Sequence, residues 1–344
     1  MSGDYLWDRS GPRDPEVVRL EQLLAPLGQS RPPADLRMPV TRRRFSAAFV
    51  VAVTAAASIV AAVVTVVEHD SRQEPPGFAV TTIAGSPTIS ARPVGENGRL
   101  LPGRWLETDA SARASIDIAD IGQVDLAPES LLRLVSSRPG DYRMHLRRGS
   151  LHARIWAPPG QFAVDTPTST TVDLGCAYTL SVGDDGVGLV KVETGWVGFE
   201  WQGRESFIPA GAVCVTRPVL GPGTPYFDDV SPAFRSAIDV IDAGRPDAPD
   251  ADARRQAAIA LVLAEARDKD VVTLWHLLGR VRPEERDAIF DVLAREVAPP
   301  SSVTREGIRR GDRAMLDAWW DRLGLGTTTW WRTWKQQWRD RPDR

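Results

Sequence analysis

Residues Phe45 to Val67 form a run of 23 residues without a charged side chain, and Arg42, Arg43 and Arg44 stand directly before it. A helix rises about 1.5 Å per residue, so the run reaches roughly 34 Å, enough to cross a hydrocarbon core of about 30 Å. Its hydroxyls, on Ser46, Thr54, Ser58 and Thr65, are groups a helix satisfies against its own backbone. A cleaved signal peptide has a short charged start and an apolar core of about 7–15 residues; here 44 residues precede a longer run. The sequence therefore predicts one transmembrane helix over 45–67. Arg42, Arg43 and Arg44 act as topology determinants that keep the N-terminus on the cytoplasmic side. Everything beyond residue 67 then lies outside.

The 344 residues suffice for two or more domains with their own cores. A net charge of −3 gives no global attraction to nucleic acid, so direct nucleic-acid binding is not expected. The two cysteines, Cys176 and Cys214, both fall on the expected outer side, where an oxidising compartment permits a disulfide between them. Two buried free thiols are the other reading, and spacing does not choose between them.

Residues 1–44 carry one helical signal. Asp14 can cap, Pro15 suits the first helical position, and Glu16 suits the first turn. Val17, Leu20, Leu23, Leu24 and Leu27 follow on one face, and Trp7 extends it. A helix this short does not bury such a stripe alone, so the stripe is expected to bind a cytoplasmic partner. Residues 68–78 read as a stalk. Over 79–217 short alternating strands are separated by turn glycines, as in Ala114, Ile116 and Ile118 or Leu151, Ala153 and Ile155. This region reads as an all-β sandwich, barrel or solenoid. Residues 218–230 form a linker, and 231–325 show five helical stretches expected to pack as antiparallel hairpins. In the tail, 326–344, Trp330, Trp331, Trp334 and Trp338 alternate with cations. That composition suits a lipid headgroup zone, a protein interface, or packing back on the helices.

Catalytic signatures are not found. The four histidines are scattered, no glycine precedes a lysine, and no Gly-x-Ser-x-Gly elbow occurs. No enzyme activity, cofactor or metal is therefore expected.

The strands carry a further pattern. Gly103–Thr108 is followed by Ala114–Ile118 and Gly122-Gln123-Val124-Asp125-Leu126. After these come Gly149-Ser150-Leu151, Phe162-Ala163-Val164-Asp165-Thr166-Pro167, Val172-Asp173-Leu174-Gly175, and Val190–Val197. This order resembles the FecR domain, with Cys176 where a threonine is usual. The resemblance implies a β-rich, solenoid-like sensor domain on a single-pass protein of the bacterial inner membrane. It also implies an anti-sigma role, in which an outer ligand or envelope partner controls a cytoplasmic extracytoplasmic-function sigma factor. The segment 1–44 is shorter than the usual anti-sigma domain and lacks zinc ligands. The helices from Ser231 onward also depart from the family. The expected fold is thus a multi-domain membrane protein with a single transmembrane helix, a solenoid-like FecR domain and an all-α helical-hairpin domain. The alternative function is a scaffolding envelope protein that binds cell-wall polymer or protein and uses its N-terminus only as an anchor.

Overall fold

The structure, a computed structural model, describes residues 77–96, 98–244 and 250–326. The described residues all belong to one compact unit. The helix expected at 14–27 with Trp7, the run 45–67, and Trp330, Trp331, Trp334 and Trp338 lie outside the described residues.

Strand-forming alternation dominates from Phe78 to Phe227. In chain order the strands are β1 (Phe78–Ala84), β2 (Thr88–Ile89), β3 (Arg92–Pro93), β4 (Gly98–Leu100), β5 (Trp105–Glu107), β6 (Arg113–Ile118), β7 (Gly122–Leu126), β8 (Leu131–Arg138) and β9 (Asp141–Ile155). They continue as β10 (Phe162–Thr166), β11 (Ser169–Asp173), β12 (Ala177–Val182), β13 (Gly188–Thr194), β14 (Trp196–Trp201), β15 (Arg204–Pro209), β16 (Ala212–Arg217), β17 (Gly221–Pro222) and β18 (Tyr226–Phe227). Pairing arranges them as two sheets that share β9. One runs β3-β2-β5-β8-β9-β10-β11-β14-β15 through the first half of β9. The other runs β4-β1-β6-β7-β9-β12-β13-β16 through its second half, ending in β17 and β18.

The passage of β9 from sheet to sheet follows from its side-chain parity. Tyr142, Met144 and Leu146 point inward, and so do Leu151, Ala153 and Ile155, so even positions face the core first and odd positions later. One extra residue must intervene for both halves to face the same core. Leu132 pairs with Leu146 and Leu131 with Arg148, which leaves Arg147 as that residue. Gly149, at φ +91°, follows it, and a Cβ there would lie 2.2–2.5 Å from Ser130. Its left-handed backbone and lack of side chain permit the crossing. The inner faces of both sheets then share one core, from Leu106, Leu132, Phe162 and Phe199 on one side to Ile116, Val124, Tyr178 and Val192 on the other.

Among the described residues six α-helices follow: α1 (Pro232–Ala243), α2 (Ala251–Glu265), α3 (Val271–Leu278), α4 (Arg286–Glu296), α5 (Arg305–Arg310) and α6 (Arg313–Arg322). Ser231 caps α1 by accepting from the Phe234 amide, and Pro232 opens it, as its sequence predicts. The short α5, capped by Thr304, carries no signal strong enough to be read from sequence.

The expected fold class is corrected on three points. Among the described residues no helix is long and apolar enough to cross a membrane, so no transmembrane helix is among the elements described, and the run 45–67 expected to form one lies outside them. The β region is not solenoid-like: every strand pairing among the described residues is antiparallel except β9 with β10, whereas a coiled stack would pair its strands in parallel. The helices do not make a separate all-α helical-hairpin domain. Their apolar residues join Val172 of β11, Phe207 of β15, Val213 of β16 and Tyr226 of β18 in a single second core. The physical reason is that the last strands of each sheet carry apolar groups on their outer faces, and the helices cover them.

Candidate functional site

The helices meet the sandwich through an aromatic cluster. The Trp320 ring lies 4.7 Å from Trp275, 5.3 Å from Phe207 and 5.9 Å from both Trp196 and His276. His276 bridges the two layers directly. Its Nε2 accepts from the Phe207 amide at 2.9 Å, and its Nδ1–H donates to the Val272 carbonyl at 2.7 Å. That pairing requires the neutral ring. Burial, and then the nearby Arg280 cation, hold its pKa well below the ordinary histidine value. The sequence marks His276 as a helix-packing residue; its bond to a strand 69 positions away leaves no sequence signal.

Beside this junction a cleft of about 730 Å³ opens between the end of β16, the C-terminus of α1, the N-terminus of α2 and the chain after α3. Arg204 and Arg280 also line a second hollow of about 430 Å³ with Phe207 and His276, so these two arginines form the partition. Six arginines face the larger cleft: Arg204, Arg217, Arg254, Arg255, Arg280 and Arg282. Arg204 Nη2 reaches Asp242 Oδ1 at 3.3 Å, and Arg217 Nη2 reaches Asp239 Oδ1 at 2.7 Å. Arg255 Nε shares its N–H between the two Glu285 oxygens at 2.9 and 3.2 Å, and Nη1 donates to the Ile241 carbonyl at 2.7 Å. Arg282 pairs with Asp252 at 2.5 Å. Asp242 is buried and is held in place by the Thr224 amide at 2.6 Å and hydroxyl at 2.8 Å.

Arg280 differs from its neighbours. Its Nη2 donates only to neutral groups, the Glu205 carbonyl at 2.8 Å and Ser206 Oγ at 2.7 Å. Its Nη1 is buried without a partner, as is Nε of Arg204. Burial lowers the Arg280 pKa to about 10 against the raising effect of Asp242. The chemistry of the cleft is that of fixed guanidinium donors, which suit carboxylate or phosphate oxygens. Among the described residues no group of three His, Cys, Asp or Glu gathers to hold a metal.

The residues singled out from sequence are distributed differently. Of the two readings left open for Cys176 and Cys214, the structure has the free thiols: both are buried, in different surroundings, with no disulfide between them. Cys176 Sγ donates to Asp173 Oδ2 at 2.6 Å, and Cys214 Sγ donates to the Gly223 carbonyl at 3.1 Å. The partner-binding stripe, the three topology arginines and the tail tryptophans lie outside the described residues. None of the cleft arginines is singled out by a motif. One signal was available: Arg254 and Arg255 occupy the opening of α2, where the helix dipole favours acids.

No family model matches the chain, and no curated protein does. Among solved structures, it is similar to two crystal structures of a candidate anti-sigma factor from Parabacteroides distasonis. Each is 14% identical with a TM-score of 0.32, and the likeness covers 39% of this chain and 63% or 62% of the other. The chain thus spans under two thirds of the length of these proteins.

Proposed function

We propose that the chain is a regulator of anti-sigma type, with the β sandwich and its helices as a FecR-like binding module and residues 1–44 as the segment that holds a sigma factor. The observation that carries the reading is where the resembling segments fall. Gly122–Leu126, Gly149–Leu151, Phe162–Thr166, Val172 and Val190–Thr194 belong to β7, β9, β10, β11 and β13; β7 and β10 pair with β9 directly, β11 joins it through β10 and β13 through β12. In this reading Trp7, Val17, Leu20, Leu23, Leu24 and Leu27 form the apolar face that takes the sigma factor.

The test is capture of extracytoplasmic-function sigma factors from the chain's own organism on the immobilised full chain. The unaltered protein is expected to retain one, and the double variant Leu20→Asp with Leu24→Asp to release it. Recovery of no sigma factor with either version overturns the reading.

A further inference from the structure

We propose that the arginine cleft between the sandwich and the helices is a binding site for a small dianionic oxyanion ligand, of the class of phosphate monoesters and dicarboxylates. This inference stands on the cleft alone and does not depend on a sigma-factor partner.

The charges around the cleft do not balance. Four of its arginines have an acid each: Arg204 has Asp242, Arg217 has Asp239, Arg255 has Glu285 and Arg282 has Asp252. Among the described residues Arg254 and Arg280 have no carboxylate in hydrogen-bond contact, so the described wall carries two cations in excess. Asp242 acts on Arg280 only through space. A surplus of this size attracts an anion of matching charge, and the attraction is strong where walls exclude water.

The donors are also left unsatisfied. Nη1 of Arg280 and Nε of Arg204 are sealed from solvent with no acceptor, although both residues line the cleft. A buried charged donor without an acceptor is costly, and native structures keep few of them; with both side chains on the cleft wall, a small turn of either guanidinium would bring its free N–H to a ligand there. The α2 terminus adds to this: Asp250 provides no side-chain cap, so its first-turn amides lack that acceptor. The negative groups facing the cleft are Asp239, Asp242 and the carbonyl end of α1. Asp239 and Asp242 are occupied by Arg217 and Arg204, and Arg255 takes the Ile241 carbonyl of α1. A volume of about 730 Å³ is that of a small-molecule site.

The test is isothermal titration of the full chain with inorganic phosphate and, separately, with succinate, at ionic strength matched with sodium chloride. Saturable one-site binding above the chloride background is expected. Phosphate alone as ligand assigns the site to phosphate esters, and succinate alone to dicarboxylates; binding of both assigns it to the shared oxyanion chemistry. Arg254→Gln removes an exposed side chain, so the fold is expected to survive, and affinity is expected to fall about tenfold or more. Arg280→Lys keeps the charge but loses the fork, and a similar fall is expected. Arg92→Gln, on exposed β3, is expected to bind like the unaltered chain. No saturable binding of either anion, or equal affinity in Arg254→Gln and Arg92→Gln, overturns the proposal.

Discussion

Asp173 is a carboxylate in a place that favours its protonated form. It is buried at the end of β11, accepts from the Gly175 amide at 2.7 Å and from Cys176 Sγ at 2.6 Å, and its pKa is pushed up to about 7 by burial. The unfolded chain releases this proton near 3.8, so between the two values the folded form holds a proton that the unfolded form has lost. Stability from this group therefore falls as pH rises from about 4 to about 7 and is flat above that. At about 1.4 kcal/mol per unit, the full effect is on the order of 4 kcal/mol. Asp173→Asn keeps the Gly175 contact through its one carbonyl oxygen and turns the Cys176 contact round, with the amide NH2 donating to Sγ, all without the charge. Chemical denaturation at pH 5.5 and 8 is expected to show the unaltered chain losing stability relative to the variant; parallel profiles refute this. His276 acts with the opposite sign. Its folded pKa is depressed, so its contribution is present above the ordinary histidine value and is lost as pH falls below it. Neither effect is legible in sequence, because each depends on burial by segments distant along the chain.

At the scale of elements, β9 decides the architecture. Gly149 reads in sequence as a turn between strands, yet the strand continues through it and changes sheets. The alternation of Leu151, Ala153 and Ile155 is plain in the sequence, and that of Tyr142, Met144 and Leu146 is equally regular. What sequence does not convey is that Arg147 is a bulge rather than the end of a strand, since a parity break is common to both. Gly149→Ala places a methyl against Ser130 in a left-handed backbone. The expected loss is roughly 2–4 kcal/mol, seen as a lower denaturation midpoint at unchanged slope. A loss under about 0.5 kcal/mol refutes this account of the crossing.

At the scale of the whole molecule, sandwich and helices share a core, which predicts shared melting. Helix positions in 231–325, α5 excepted, were legible from caps and periodicity, whereas their docking was not. The outward aromatics Trp196 and Phe207 sit on strands whose alternation points to one core, and a second buried face leaves no periodic mark. Trp320→Ala removes the ring at the centre of the aromatic cluster, at an expected cost of about 3–5 kcal/mol. Thermal melts followed at helix and sheet wavelengths are expected to shift together, by about 10 °C. Loss of the helical signal ahead of the sheet signal refutes the shared core.

The helices over β15, β16 and β18 have one more effect. A sandwich ends in strands whose free backbone groups invite pairing with another chain. Here one end is roofed by helices. At the other, the outermost strands are the two-residue β3, containing Pro93, and the three-residue β4. Neither offers a length of backbone that a neighbour could zip onto. Among the described residues the terminal strands of both sheets therefore give a neighbouring copy little backbone to pair with, which disfavours fibre growth through them.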